Sequence, residues 1–168
     1  MSVPPMKTTR IRPISEGDRF RISEIVRAAG NFSRQEIDTA LELVDEALEK
    51  GEESGYIAVV LEMLEATPTV AGYACYGPTP LTEGVFDLYW IAVHPEAQGH
   101  GIGRALVGYV EKDVLARGGR MLLIETSSRE DYGATIGFYE RTGYQLAARI
   151  KNFYRPGDDK LIFLKEFK

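Results

Sequence analysis

A helix-periodic stretch lies between two apolar runs, and this order constrains the fold more than any other feature of the chain. Val85 to Val93 contains Phe, Leu, Tyr, Trp and Ile and stops at His94-Pro95. Ile102, Leu106, Val110 and Val114 then recur four residues apart, up to Gly118-Gly119, which end a helix. Met121-Leu122-Leu123-Ile124 follows without a polar residue, the pattern of a strand buried on both faces, as in a parallel sheet. Two strands joined by such a helix run parallel and cross over right-handedly. The unit from Val85 to Glu125 therefore forms the centre of a sheet with a helix on it.

The flanking segments extend that sheet. Lys7 to Ile14 reads as an edge strand stopping at Pro13. Ser15-Glu16-Gly17-Asp18 and Ser33-Arg34-Gln35-Glu36 are capping boxes. Behind them Ile22, Ile25, Val26 and Ala29, then Ile37, Leu41, Val44 and Leu48, lie at helical spacing, the second helix ending near Gly51. Tyr56 to Glu65 and Thr69 to Tyr76, split by Thr67-Pro68, read as an antiparallel hairpin. Asp131 is positioned to cap a further helix that Gly143 ends. Tyr144 to Tyr154 and Lys160 to Phe167 flank Arg155-Pro156-Gly157-Asp158-Asp159, a turn between two final strands. The expected order is β-α-α-β-β-β-α-β-α-β-β, a mixed α/β fold in one domain over residues 1–168.

Composition narrows the function. A net charge of −5 argues against a nucleic-acid surface, which needs a basic patch. Cys75 is the one cysteine, and His94 and His100 are the only histidines, so neither a disulfide framework nor a metal site is expected. No apolar run approaches the roughly 20 residues that span a bilayer, and Met1 to Thr9 does not resemble a signal peptide. No membrane role and a cytoplasmic location are the expectations. Asn31-Phe32-Ser33 matches a glycosylation sequon, which carries no weight without export.

The segment Gln98-Gly99-His100-Gly101-Ile102-Gly103-Arg104-Ala105 stands at the start of the central helix. Glycine inside a helix costs about 1 kcal/mol relative to alanine, so three in five residues need a compensating use. A helix N-terminus offers unpaired N–H donors and partial positive charge, and side-chain-free backbone lets a phosphate approach them. A P-loop would require Gly-Lys-Ser/Thr, but Arg104-Ala105 follows Gly103. A dinucleotide fingerprint would require a third glycine where Leu106 or Arg104 stands. A pyrophosphate fits, in neither of the two standard nucleotide motifs.

Ile91-Ala92-Val93-His94-Pro95-Glu96 followed by Gln98 to Leu106 resembles the signature of the GCN5-related N-acetyltransferases, the GNAT superfamily. Gln98, Gly101 and Gly103 match its Gln/Arg-x-x-Gly-x-Gly/Ala core. Ala134 to Tyr144, with Tyr139 ahead of Gly143-Tyr144, is similar to the second motif of that family. Family members with Asn seven residues before this tyrosine differ here, where Tyr132 stands. The resemblance implies a GNAT-type fold, mostly antiparallel, with a central parallel β-α-β unit and helices on both faces. It implies acetyl-CoA as co-substrate, with no metal.

It also implies residue roles. Main-chain groups of Ile91, Ala92 and Val93 would bind the pantetheine arm, and Gln98, Gly99, His100, Gly101, Ile102, Gly103 and Arg104 the pyrophosphate. The Val93 N–H would serve as oxyanion donor. Direct acyl transfer to an amine needs a base, because an alkylamine is protonated at neutral pH. Glu125 and Asp87 both match base positions of family subgroups, with Glu125 placed first and Glu83 further out. Tyr139 matches the general acid. The acceptor is a small-molecule or peptide amine, and homodimers are common in such a family. Phe153, Tyr154, Asp158 and Asp159 lie where members shape the acceptor site. A non-catalytic acyl-CoA-binding module is the alternative reading. Cys75 reads as a small core residue, His94 as structural, and His100 as lending only its N–H. Tyr89 and Trp90 alternate, so one faces the core.

Overall fold

A computed structural model of the chain describes residues 8–168. Its strands are β1 (Thr9–Pro13), β2 (Ile57–Met63), β3 (Thr69–Pro78), β4 (Val85–Val93), β5 (Met121–Ser127), β6 (Gln145–Arg155) and β7 (Asp158–Glu166). Its helices are α1 (Arg19–Ala28), α2 (Arg34–Lys50), α3 (Ile102–Ala116) and α4 (Gly133–Arg141). The strands form one mixed sheet in the order β1-β2-β3-β4-β5-β7-β6, in which β4 and β5 are parallel. The chain divides into two units, residues up to Cys75 with Trp90–Tyr109, and Tyr76–Tyr89 with Val110–Lys168. The division passes through β3, β4 and α3.

In the first unit the capping box at Ser33 acts as its spacing predicts, whereas the one at Ser15 forms by half, the Ser15 N–H donating to the Asp18 carboxylate at 2.8 Å ahead of α1. The Ser33 hydroxyl accepts from the Glu36 N–H at 3.2 Å, and the Glu36 carboxylate accepts from the Ser33 N–H at 2.6 Å. Ile22, Ile25 and Val26 of α1 and Ala40 and Val44 of α2 are wholly buried; each large side chain so buried contributes about 1.5–3 kcal/mol. Strand β1 pairs antiparallel with β2, Thr9 opposite Met63 through Pro13 opposite Val59. Arg12 joins two buried carboxylates there. It donates to Asp18 at 2.7 and 2.9 Å and to Glu62 at 2.8 and 3.0 Å, while Arg10 donates to the other Glu62 oxygen. Gly72 of β3 lets α3 approach: a Cβ there would meet Leu106 Cδ1 at 3.0 Å, the Ala92 carbonyl at 3.1 Å and Ile102 Cγ2 at 3.2 Å.

In the second unit β4 runs beside β5 from Val85 opposite Met121 to Leu88 opposite Ile124. Strand β5 pairs antiparallel with β7 along its whole length. One face of β5 and β7, formed by Leu122, Ile124, Leu161 and Phe163, is buried. Tyr139 of α4 packs on it, its ring 6.2 Å from Phe163 and 5.8 Å from Tyr144. All eleven residues of the outer strand β6 are exposed.

Several boundaries differ from those read in the sequence. Asp131 does not cap α4: it lies in a short 3-10 turn, and Tyr132 holds the N-cap position. Strand β5 runs three residues past Ile124 because Glu125, Thr126 and Ser127 pair with Ile162, Leu161 and Lys160 of β7. Strand β7 likewise begins at Asp158 rather than Lys160, reducing the turn to Pro156 and Gly157. Ladder pairing sets these ends, and apolar periodicity does not report it. Strand β1 begins at Thr9, and the expected start at Lys7 lies outside the described residues.

Candidate functional site

The glycine segment precedes α3 in the first unit. Gly99 and Gly101 have φ of +78° and +76°, and a Cβ on either would meet nothing within 4 Å. These glycines therefore serve backbone direction, since the left-handed region costs an L-residue about 1–2 kcal/mol. The first main-chain bond of α3 runs from the Ala105 N–H to the Gly101 carbonyl at 3.0 Å. Among the described residues, no main-chain hydrogen bond is donated by residues 99–104. A row of free N–H donors at a helix start, with alternating left-handed glycines, is an anion cradle. Arg104 is exposed on the first turn of that helix.

Neighbouring side chains brace the cradle. The His94 Nδ1 accepts from the Glu96 N–H at 3.3 Å, capping the turn at Pro95–Ala97. The Gln98 side-chain amide donates to the Val93 carbonyl at 3.4 Å, tying the segment to the end of β4. The His100 Nδ1 faces two carbonyls, Gln98 at 3.0 Å and Ala97 at 3.2 Å. Carbonyls only accept, so Nδ1 carries the proton and donates to them. His100 thus pins the loop with its ring, a role beyond the N–H expected of it. Ala92 is buried, while Ile91 and Val93 are half-buried.

The two carboxylates expected as bases both lie in the second unit, on neighbouring strands. Leu123, beside Asp87 in the register, and Glu125 alternate onto one face of β5. Ile162 and Lys160 of β7 share that face. The Lys160 ammonium sits 2.8 Å from Glu125 Oε2 and 4.5 Å from the centre of the Phe153 ring. Asp87 is half-buried and accepts from the Thr79 hydroxyl at 2.6 Å. Burial lifts its carboxyl above the ordinary value, opposed by the Thr79 donor, with the Glu125 charge raising it and Lys160 lowering it. Glu83, further out, is exposed.

Tyr139 belongs to the same unit and is 3% exposed. Burial drives its hydroxyl above the usual phenol value, reinforced by Tyr132, so it remains protonated throughout the physiological range. Tyr132 is buried under the Arg129 guanidinium, 5.2 Å from its ring. Cys75 is a buried core thiol, pushed up to about 12 by burial. Trp90 packs edge-on to Phe32 at 5.3 Å. Two of these partners were not foreseen from sequence. Lys160 alternates with Ile162 and Leu164, which places it on the open face, but Glu125 becomes its neighbour only through the β5–β7 register. Thr79, in a Pro-rich turn, carried no signal.

Among the described residues, no cluster of three His, Cys, Asp or Glu side chains could hold a metal ion. Likewise, no helix is long and apolar enough to cross a membrane. The comparisons agree with the fold. A protein from Desulfovibrio desulfuricans described as a member of the GNAT family superposes with a TM-score of 0.89 at 46% identity, covering 95% of this chain and 99% of that one. A ribosomal-protein-alanine N-acetyltransferase from Brucella melitensis shares the fold at 22% identity and TM-score 0.72, over 94% of this chain and 99% of that one. So does the yncA protein of Salmonella typhimurium, solved with its cofactor acetyl-CoA, at 20% identity and TM-score 0.72, over 95% and 94%. The model of the acetyltransferase (GNAT) family matches residues 21–144. With the glycine cradle, the parallel β4–β5 pair and that match in hand, the chain belongs to the GNAT family of acetyltransferases.

Proposed function

We propose that the protein is an acetyl-CoA-dependent N-acetyltransferase acting by direct transfer to a primary amine. The observation that carries this reading is the row of unpaired N–H donors from Gly99 to Arg104 at the start of α3. Such a row suits the pyrophosphate of coenzyme A. A single acetyltransferase domain over residues 1–168 and a cytoplasmic location are part of the same reading.

Acetyl-CoA supplies the activated thioester, and every other role falls to residues of this chain. Main-chain groups of Ile91, Ala92 and Val93 bind the pantetheine arm. Gln98, Gly99, His100, Gly101, Ile102, Gly103 and Arg104 hold the pyrophosphate. A carboxylate, Asp87 or Glu125, takes the proton that the acceptor ammonium must lose before it attacks. The Val93 N–H donates to the carbonyl oxygen as it gains negative charge, a contribution of about 2.7–4 kcal/mol where such donors have been removed from other enzymes. Tyr139 then donates its proton to the departing sulfur. Desolvation raises a thiolate's proton affinity as it raises that of a phenol, so the transfer stays feasible in a buried setting.

The acceptor is an amine on a peptide or a small molecule. The test is a panel of peptides, amino acids, polyamines and aminoglycosides with acetyl-CoA, read by mass spectrometry and by free-thiol release. The expected result is amine-dependent thiol release with a product heavier by one acetyl group. Tight coenzyme A binding with no amine-dependent release across the panel would make the protein a binding module instead.

A further inference from the structure

Two carboxylates stand on the open face of β4 and β5, and their surroundings differ. Glu125 is about half exposed, yet one oxygen is engaged by the Lys160 ammonium at 2.8 Å. Lys160 is not a loose surface chain: its side chain is 15% exposed and its head lies over the Phe153 ring. Stacking of this kind holds a cation in place as well as attracting it. An amine proton reaching Glu125 competes with that ammonium for the carboxylate's lone pairs. Asp87 offers the contrasting case. Its Oδ2 accepts from Thr79, and Oδ1 has no side-chain partner among the described residues.

We propose that Lys160 is a positioning residue, which occupies Glu125 and so leaves Asp87 as the carboxylate that takes the acceptor's proton. This rests on the acetyl-transfer reading above. The acceptor ammonium gives one proton to Asp87 Oδ1 and its nitrogen lone pair forms the C–N bond at the thioester carbonyl. The C–S bond then breaks as the sulfur takes the Tyr139 proton, the nitrogen's remaining extra proton restores the Tyr139 hydroxyl, and the Glu125–Lys160 pair remains intact throughout. The charged groups that face Asp87 are Glu125 from β5 and Lys160 from β7, with the Thr79 hydroxyl from the turn after β3. Lys160 offsets the repulsion that Glu125 exerts on Asp87. Without it, the protonated form of Asp87 is favoured and the base works only at higher pH.

The experiment uses Lys160→Met, Lys160→Arg, Lys160→Met/Glu125→Gln, Asp87→Asn and Glu125→Gln in the full chain. The Asp87 carboxyl is titrated by carbon-13 NMR, with Asp87→Asn assigning its signal. The pH profile of kcat/KM is then measured with an acceptor from the amine panel. Lys160→Met should move the Asp87 midpoint and the acidic limb of the profile upward by about one pH unit. Lys160→Arg should keep both, and the double variant should return both towards wild type. Asp87→Asn should lower kcat at least about a hundredfold, and Glu125→Gln less than about tenfold. An unmoved Asp87 midpoint in Lys160→Met, or a greater loss in Glu125→Gln than in Asp87→Asn, overturns the proposal. A wild-type protein that acetylates nothing in the panel refutes the acetyl-transfer reading itself, whereas the NMR titration still judges the coupling of Lys160 to Asp87.

Discussion

Replacing Gly101 with alanine separates backbone strain from crowding at the cradle. Gly101 has φ +76°, and no atom lies within 4 Å of a built Cβ, so alanine meets no clash. It meets only the left-handed penalty of about 1–2 kcal/mol, against a gain of about 0.4–1 kcal/mol from a stiffer unfolded chain. If the loop keeps its shape, stability falls by at most about 1.5 kcal/mol, or about 3–6 °C in Tm for a chain of this size. If the loop relaxes to negative φ, stability is preserved and the same strain reappears on binding. That alone weakens coenzyme A by roughly 5–30-fold, and each N–H turned away from the pyrophosphate adds about 1.5–3 kcal/mol. Thermal shift and titration calorimetry with coenzyme A read the two quantities together. The expected outcome for Gly101→Ala is a small Tm change with Kd raised at least tenfold. Gly101→Asn, which tolerates left-handed backbone, should lose less. If Kd stayed within twofold of wild type in both variants, while Tm also held, the cradle would not be the pyrophosphate site.

Three further outcomes follow from the same geometry. Tyr139→Phe should lower kcat at least tenfold and leave coenzyme A affinity within twofold; an unchanged kcat at saturating substrates removes Tyr139 from the acid role. Arg12→Leu removes the shared partner of two buried carboxylates, leaving Glu62 with Arg10 and Asp18 with Ser15, and should cost about 3 kcal/mol at pH 7. Arg12 lowers the proton affinity of both Asp18 and Glu62, so its stabilisation is present above the unfolded carboxylate pKa and is lost as pH falls through the folded values. Denaturant melts of wild type and variant should therefore converge below about pH 4, and a constant gap down to pH 3 refutes the electrostatic account. Gly72→Ala should destabilise by about 1–3 kcal/mol in a thermal melt, since its Cβ would press on the Ala92 carbonyl at 3.1 Å as well as on two side chains; an unchanged Tm would show that α3 shifts freely.

What local sequence determines in this protein is whatever depends on neighbours along the chain. Ser33 and Glu36 cap α2 through bonds three residues apart. The i, i+4 spacing of Ile102, Leu106, Val110 and Val114 dictates a helix, and Gly118-Gly119 dictates its end. The apolar run at Met121 forces a strand buried beside another, and the helix between them forces the pair to be parallel. Gly99 and Gly101 mark side-chain-free backbone at a helix start, and the structure adds that both are left-handed. These features suffice to read the fold and the cradle.

Tertiary structure decided what depends on register between strands. Glu125 reads as the end of a buried run, yet the pairing of β5 with β7 carries the strand on to Ser127 and brings Lys160, 35 positions later in the chain, to 2.8 Å from it. Thr79 reaches Asp87 only because the turn after β3 folds back on β4. The choice between two carboxylates turns on these contacts. A one-residue slip in register would send every side chain of a strand to the opposite face, and no local pattern in the sequence reports which register wins. The donor cradle is a local property of the chain, whereas the electrostatics of the base belong to the sheet.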